Sequence, residues 1–312
     1  MFKKNFDAIE VLLASALVVF FVLFGVYVPT LGFLGLLLMA VPICTVTYRR
    51  GIFYGVSTLL LSGIFLAIFL PYIISIIFCA INFSLGIVMG LILKKEKPIN
   101  VLLGTTAALS GLFALGVAFV ILTGPKDLLN NLYTAFESYM ISYYQGSSGV
   151  TTEEIKQFVK YLEIYLPSLV ILLFFVWSIF QYRIVSYVLR YLYKIEVLQF
   201  GDFKDIRIPY ELSLLFLTSL VASFLPISNE IKNAFLNVEL ILTFVYMFAG
   251  ASVLFFILSK KLFFKNDIFT KVINLIVVLL FVIVPFLSFL LVFLGVFDSV
   301  FNIRKYFNSR FN

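Results

Sequence analysis

An all-α, polytopic membrane helix bundle is the fold this chain predicts, with 8–9 transmembrane helices and an outer amphipathic helical hairpin. Three observations carry the prediction. Long apolar stretches fill most of the 312 residues. Short clusters of Lys and Arg separate them. Hydrophobic residues make up 62% of the chain and charged residues only 12%, where a soluble domain carries about 25% charged residues. A chain with 38 Phe and 17 Tyr exposes more apolar surface than a water-soluble core of this length can hide, so lipid must solvate much of it.

A helix needs about 20 apolar residues to cross the hydrocarbon core. The candidate spans are 8–28, 30–47, 51–69, 71–93, 99–124, 166–189, 211–226, 233–258 and 272–297. Helix-breaking residues mark the junctions. Pro29 separates the first two spans and Pro71 the third and fourth; Pro98 opens the fifth, Gly124-Pro125 closes it, and Pro209 opens the seventh. Pro42, Pro167 and Pro285 lie within or at the edge of spans. There they are expected to kink helices whose freed carbonyls find partners on neighbouring helices. The first apolar run follows Lys3 and Lys4 as in a signal peptide, but it lacks a clear small-residue cleavage site and leads directly into more spans. It reads as a retained helix.

Basic residues orient the bundle. With the N-terminus in the cytoplasm, alternation places Lys3, Lys4, Arg49, Arg50, Lys94, Lys95, Lys97, Arg183, Arg190, Lys194, Lys204, Arg207, Lys260, Lys261, Lys265 and Lys271 inside. Only Lys126, Lys156, Lys160 and Lys232 fall outside. The expected location is therefore a bacterial cytoplasmic (plasma) membrane, crossed many times. Arg304, Lys305 and Arg310 face outward if 272–297 crosses once, and stay inside if the chain bends back at Pro285. The segment 297–311 also reads as a basic amphipathic helix, with Phe297, Val300, Phe301, Phe307 and Phe311 set against Asp298, Arg304, Lys305 and Arg310. Such a tail suits anionic headgroups on the cytoplasmic side. The net charge of +7 does not point to nucleic acid, because the charges sit in short loops and not on one face of a soluble domain.

Residues 125–165 form the one substantial region between spans. Leu128, Leu129, Leu132, Tyr133, Phe136, Met140, Tyr143 and Tyr144 recur at helical spacing, with Asn130, Asn131, Thr134, Glu137 and Ser138 mostly on the other side. A turn at 146–149 and a capping-box pattern at Thr151 and Glu154 follow, then Ile155, Phe158, Val159 and Leu162 on one face of the next helix. The pattern fits an outer hairpin, either anchored at the interface by aromatic residues or serving as a lid through Tyr133, Phe136, Tyr143 and Tyr144. Three regions result: 1–124, 125–165 and 166–312.

Catalytic and metal signatures are lacking in the sequence. There is no Walker loop, nucleophile elbow or CxxC, and no His at all, which removes the commonest general base and metal ligand. The expectation is a non-enzymatic protein without a cofactor. Cys44 and Cys79 fall inside apolar spans and read as core residues. Gly32–Gly35 and the GxxxG pair Gly86 and Gly90 read as points of close helix approach.

Polar residues at membrane depth are costly unless they are paired or line a cavity. Asn82, Asn237 and Glu239 are the ligand-binding candidates on this ground. Gln181 reads as a cross-link between helices, while Glu10, Arg183 and Asn274 lie near span ends, where they can be hydrated.

Two stretches carry a family resemblance. One is Leu294-Gly-Val-Phe-Asp298-Ser-Val-Phe-Asn302-Ile-Arg304, with the Ile206-Arg-Ile-Pro209 entry to the seventh span; it resembles the tail of the YybS-like bacterial membrane proteins, an uncharacterised family (domain of unknown function 2232). The other is the N-terminal run through Pro29, Pro42, Tyr48-Arg49-Arg50-Gly51 and Leu91–Lys95; it is similar to the substrate-binding S components of energy-coupling-factor transporters and their relatives, including the rod-shape protein MreD. S components carry small residues four apart on the first helix where the scaffold docks, whereas here Ala14, Ser15 and Ala16 are followed by Val18, Val19 and Phe20. The resemblance implies small-molecule binding or transport. The alternative is a membrane scaffold for envelope or division machinery with a membrane-protein partner.

Overall fold

The computed structural model describes residues 2–28, 30–125, 128–144, 150–261, 276 and 284–306. Among these every regular element is helical. In chain order they are α1 (Phe2–Tyr27), α2 (Gly32–Leu38), α3 (Val41–Arg50), α4 (Ile52–Phe69), α5 (Tyr72–Asn82), a π-helical turn (Phe83–Val88), α6 (Met89–Ile92), α7 (Pro98–Thr123), α8 (Leu128–Tyr144), α9 (Thr152–Tyr193), a 3₁₀ turn (Phe203–Asp205), α10 (Tyr210–Phe224), α11 (Asn229–Lys261) and α12 (Pro285–Phe301). Seven stretches among the described residues are long and apolar enough to cross a membrane: Asp7–Tyr27, Gly32–Arg50, Ile52–Phe69, Tyr72–Ile92, Pro98–Thr123, Thr152–Tyr193 and Asn229–Leu258. Tyr210–Phe224 and Phe286–Phe301 are shorter apolar helices. This is a multi-pass membrane protein.

The prolines act where the sequence places them, by different means. Pro71 and Pro209 are N-caps of α5 and α10, and Pro98 opens α7. Pro42 opens α3 and splits the expected span 30–47 into two helices. Pro285 likewise starts α12, while Pro167 sits inside α9. Pro29, the turn at 146–149, Asn274 and the first half of the expected span 272–297 lie outside the described residues, as do the structures of Lys126, Lys265, Lys271 and Arg310.

One expected boundary needs correction. The second helix of the expected hairpin and the span 166–189 are one helix, α9, of 42 residues. At 1.5 Å per residue it is about 63 Å long, roughly twice the hydrocarbon core. The expected span 71–93 is present as Tyr72–Ile92 and carries a π-helical turn at Phe83–Val88. The capping box is present: the Thr151 N–H donates to Glu154 Oε2 at 2.8 Å and the Glu154 N–H to Thr151 Oγ1 at 3.3 Å.

The chain forms two compact units, Met1–Asn131 with Val170–Gln199, and Leu132–Leu169 with Phe200–Asn312. In the first, Val18, Val22, Met39, Ile43, Leu66, Leu70 and Ile87 make the core, with Trp177 packed against it. Gly86 and Gly90 let the fourth span lie against α3, as the GxxxG spacing predicts: a methyl group at Gly90 would sit 2.8 Å from the Cys44 carbonyl oxygen. In the second unit, Phe216, Leu242, Tyr246, Ala249 and Val292 join α10, α11 and α12. The tightest approach there is between α11 and α12, where Gly250 faces the Leu291 carbonyl and Gly295 the Tyr246 carbonyl.

Candidate functional site

One end of the first unit is built from charge. Glu10 on α1 pairs with Arg49 and with Arg50 at 2.9 Å, Asp7 pairs with Arg50 at 2.7 Å, and the Tyr54 hydroxyl reaches Asp7 at 3.3 Å. The Arg49 guanidinium lies 3.8 Å over the Tyr193 ring at the end of α9, and Lys94 lies 5.8 Å from the Tyr48 ring. Five helix ends that the sequence marks with basic residues therefore meet at one end, with acidic partners that hold the guanidinium groups in place.

From that end, helix rise puts Val41, Gln181 and Asn82 about 14 to 18 Å deep, near the middle of a core about 30 Å thick. The backbone is irregular at this depth. Between α2 and α3 the helical hydrogen-bond ladder is interrupted at Met39–Ala40, both buried and both still in right-handed helical conformation. A broken helix leaves carbonyls and N–H groups without partners, which lipid cannot supply. Gln181 is placed to supply them: with its amide nitrogen turned toward the Leu37 carbonyl (2.8 Å), its oxygen accepts from the Val41 N–H at 3.0 Å. The π-helical turn lies opposite, with Gly86 against Ile43 and near the Ala40 carbonyl.

Asn82 precedes that turn and is 1% exposed. Its Nδ2 donates to the Phe78 carbonyl at 2.9 Å, and its Oδ1 is buried with no hydrogen-bond partner among the described residues. Ser84 Oγ, one of the first atoms of the π-helical turn, is in the same condition, and so is Trp177 Nε1. An unsatisfied buried polar group costs about 1–3 kcal/mol, so a pair of them beside an irregular turn calls for an explanation.

Asn237 and Glu239 belong to the other unit. Asn237 Oδ1 accepts from the Ser168 N–H at 3.0 Å, and its Nδ2 donates to the Ile164 carbonyl at 2.7 Å and the Asn233 carbonyl at 2.8 Å. Ile164 and Ser168 are the two groups that would bond each other in an uninterrupted helix, and Pro167 lies between them. Asn237 therefore lies across the backbone at Pro167, with its amide engaged by backbone. Glu239 is half-buried; Oε2 has no hydrogen-bond partner among the described residues, and Tyr165 lies within electrostatic range. Of the aromatic lid candidates, Tyr133 and Tyr144 are half-buried while Phe136 and Tyr143 are exposed. Burial, then the Glu163 charge, push the Tyr133 phenol above its ordinary range.

The residue that sequence reasoning misplaced is Arg304. It is 2% exposed, so it does not belong to a lipid-facing basic tail. Its Nε pairs with Asp298 Oδ2 at 3.0 Å, Nη2 donates to the Ile206 carbonyl at 2.7 Å and to Ser252 Oγ at 3.1 Å, and Nη1 donates to the Lys204 carbonyl. Asn302 adopts a left-handed conformation that turns the chain so that Arg304 can reach them. The physical reason is stoichiometric: loop 200–209 presents carbonyls that no helix satisfies, and a guanidinium can serve several at once. Because Arg304 meets Ser252 while Gly295 meets Tyr246 and Gly250, α11 and α12 run in the same direction. The end of α12 thus lies with Lys204 and Ile206. A second buried polar link joins the three helices through Ser213, Tyr246 and Ser299, with the Ser213 and Tyr246 hydroxyls 2.9 Å apart.

No cluster of three or more metal-ligating side chains occurs among the described residues. A family model described as "Predicted membrane protein (DUF2232)" matches residues 16–299. The chain is also similar to a protein of Bacillus subtilis (strain 168) described as "Uncharacterized protein YybS", with 25% identity over 303 residues, covering 90% of this chain and 91% of that protein. No solved structure matches. The S-component likeness of the N-terminal region is not among these similarities.

Proposed function

The chain belongs to the DUF2232 family of predicted membrane proteins, and within it we propose a non-enzymatic protein that binds or moves a small uncharged molecule at the broken-helix pair of the first unit. The observation that carries this reading is the unsatisfied acceptor Asn82 Oδ1, buried beside the π-helical turn, with the Ser84 hydroxyl also unsatisfied on another side of that turn. Discontinuous helices at mid-membrane are a recurring way of building a transport site, because irregular backbone survives there only inside protein or along a cavity.

The chemistry of the lining sets the ligand class. The buried polar side chains of the spans in this unit are hydroxyls and amides: Thr47, Asn82, Ser84, Thr105, Thr106, Ser178 and Gln181 among them. The charged groups Asp7, Glu10, Arg49 and Arg50 sit at the end and are paired. Arg183 reaches this depth on the exposed side of α9, and the buried side chains among the described residues there offer no counter-ion, so an ionic ligand beside Asn82 would bear most of its desolvation cost. A neutral molecule with a hydrogen-bond donor would satisfy Asn82 Oδ1.

We place the charged end of this unit, with Arg49, Arg50 and Lys94, in the cytoplasm of a bacterial plasma membrane, following the distribution of basic residues. Cysteine labelling in membrane vesicles tests the binding region. In a Cys44→Ala/Cys79→Ala background, Ser84→Cys should react with uncharged N-ethylmaleimide, whereas Leu66→Cys in the apolar core should not. A cationic methanethiosulfonate should modify neither. Ser84→Cys as inert as Leu66→Cys would remove the site and favour the scaffold reading; modification by the cation would remove its preference for neutral molecules.

A further inference from the structure

Helix α8 presents three faces. Tyr133, Glu137, Met140 and Tyr144 form a half-buried side. Asn131, Thr134, Ser138 and Ser142 form an exposed polar side. Between them runs an apolar stripe, Leu132, Phe136, Tyr139 and Tyr143, at 58%, 41%, 62% and 66% exposure. These residues are spaced four, three and four apart, which keeps them on one line along a helix. Tyr139 and Tyr143 stack with ring centroids 6.2 Å apart, so the stripe is an ordered surface. The helix rests on a different side from its most apolar one.

We propose that this stripe is inserted in the headgroup region of the bilayer, so that α8 lies on the membrane as an interfacial anchor. Reach argues for lipid over a soluble partner. Span α7 ends at Thr123 and α8 begins at Leu128. The intervening chain extends at most about 14 Å, which holds the start of α8 against the membrane surface. Composition agrees: Tyr and Phe side chains with an apolar body and, for Tyr, a polar tip are enriched at that boundary. Electrostatics do not contribute, because α8 carries one charged residue, Glu137, and no Lys or Arg. Binding should therefore need no anionic lipid and should resist salt, unlike a polybasic contact. The inference is independent of the neutral-ligand reading.

The test uses the full chain in vesicles of phosphatidylcholine, with and without lipid brominated near the top of the acyl chain. Trp177 is the one tryptophan; Trp177→Phe makes a silent background into which Tyr143→Trp, Tyr139→Trp or Ser138→Trp is placed. Brominated lipid should remove most of the emission of the two stripe reporters and little of Ser138→Trp, with aqueous iodide giving the reverse order. Stripe reporters quenched by iodide as readily as Ser138→Trp would overturn the proposal. So would reporters shielded from both quenchers, which would mean that protein covers the stripe.

Discussion

Gln181 lies across a gap in another helix: with its amide nitrogen turned toward the Leu37 carbonyl and its oxygen toward the Val41 N–H, the two separations are 2.8 and 3.0 Å, and these are the groups left over where α2 stops and α3 starts. Val41 is followed by Pro42, which has no N–H of its own to offer. A membrane-depth break is thus held by one amide on α9.

Gln181→Leu should leave both backbone groups unsatisfied. The expected loss is about 2–4 kcal/mol, read as a lowered midpoint of unfolding in detergent. An unchanged midpoint would mean that the break is satisfied in another way.

Asn237 should be coupled to Pro167. Asn237→Leu in the wild-type chain strips partners from Ile164 and Ser168. With Pro167→Ala those two groups can bond each other, so the same substitution should cost less there, by about 1 kcal/mol in a double-mutant cycle. A coupling near zero would refute the bridge.

Arg304→Ala should be among the most damaging single changes, about 3–5 kcal/mol, because it leaves Asp298 charged and buried. Lys305→Ala, an exposed neighbour, should stay within about 0.5 kcal/mol. Replacing both members of the pair, Asp298→Leu with Arg304→Met, should recover much of the loss. Thermal unfolding of the three variants decides it.

Arg304 also ties the end of α12 to Lys204 and Ile206. Reporter fusions at Lys204 and at Asn312 should therefore report the same compartment. Opposite compartments would contradict the shared end.

Gly250→Ala should disturb the α11–α12 crossing by about 1–3 kcal/mol, since its methyl would press on the Leu291 carbonyl. Gly116→Ala, with open space around it, supplies the control and should be neutral or slightly stabilising.

Hydropathy and proline placement made most of the spans legible, along with the capping box at Thr151 and the close approach at Gly86 and Gly90. Three features were not legible, for physical reasons. The break at Met39–Ala40 is hidden because both halves are apolar, so a sliding average sees one span. The continuity of α9 is hidden because an amphipathic stretch and an apolar stretch can share one helix axis across Pro167. Arg304 is hidden because its partners Lys204 and Ile206 lie about a hundred positions away, and a lone basic residue near a chain end reads as solvated. For the candidate site, Asn82 was visible as a polar residue in an apolar run, but the π-helical turn and Ser84 depend on packing against α3. Asn237 was visible too, and its role at Pro167 needed the neighbouring helix.

The central claim is a small uncharged molecule held at Asn82, and native mass spectrometry of the full-length protein released from lipid nanodiscs tests it most directly. The wild-type protein should carry a bound mass that is not a phospholipid, and Asn82→Leu, of similar size and without the acceptor, should lose it. Wild-type protein bare of any such mass, or a bound mass that survives Asn82→Leu unchanged, would contradict the account.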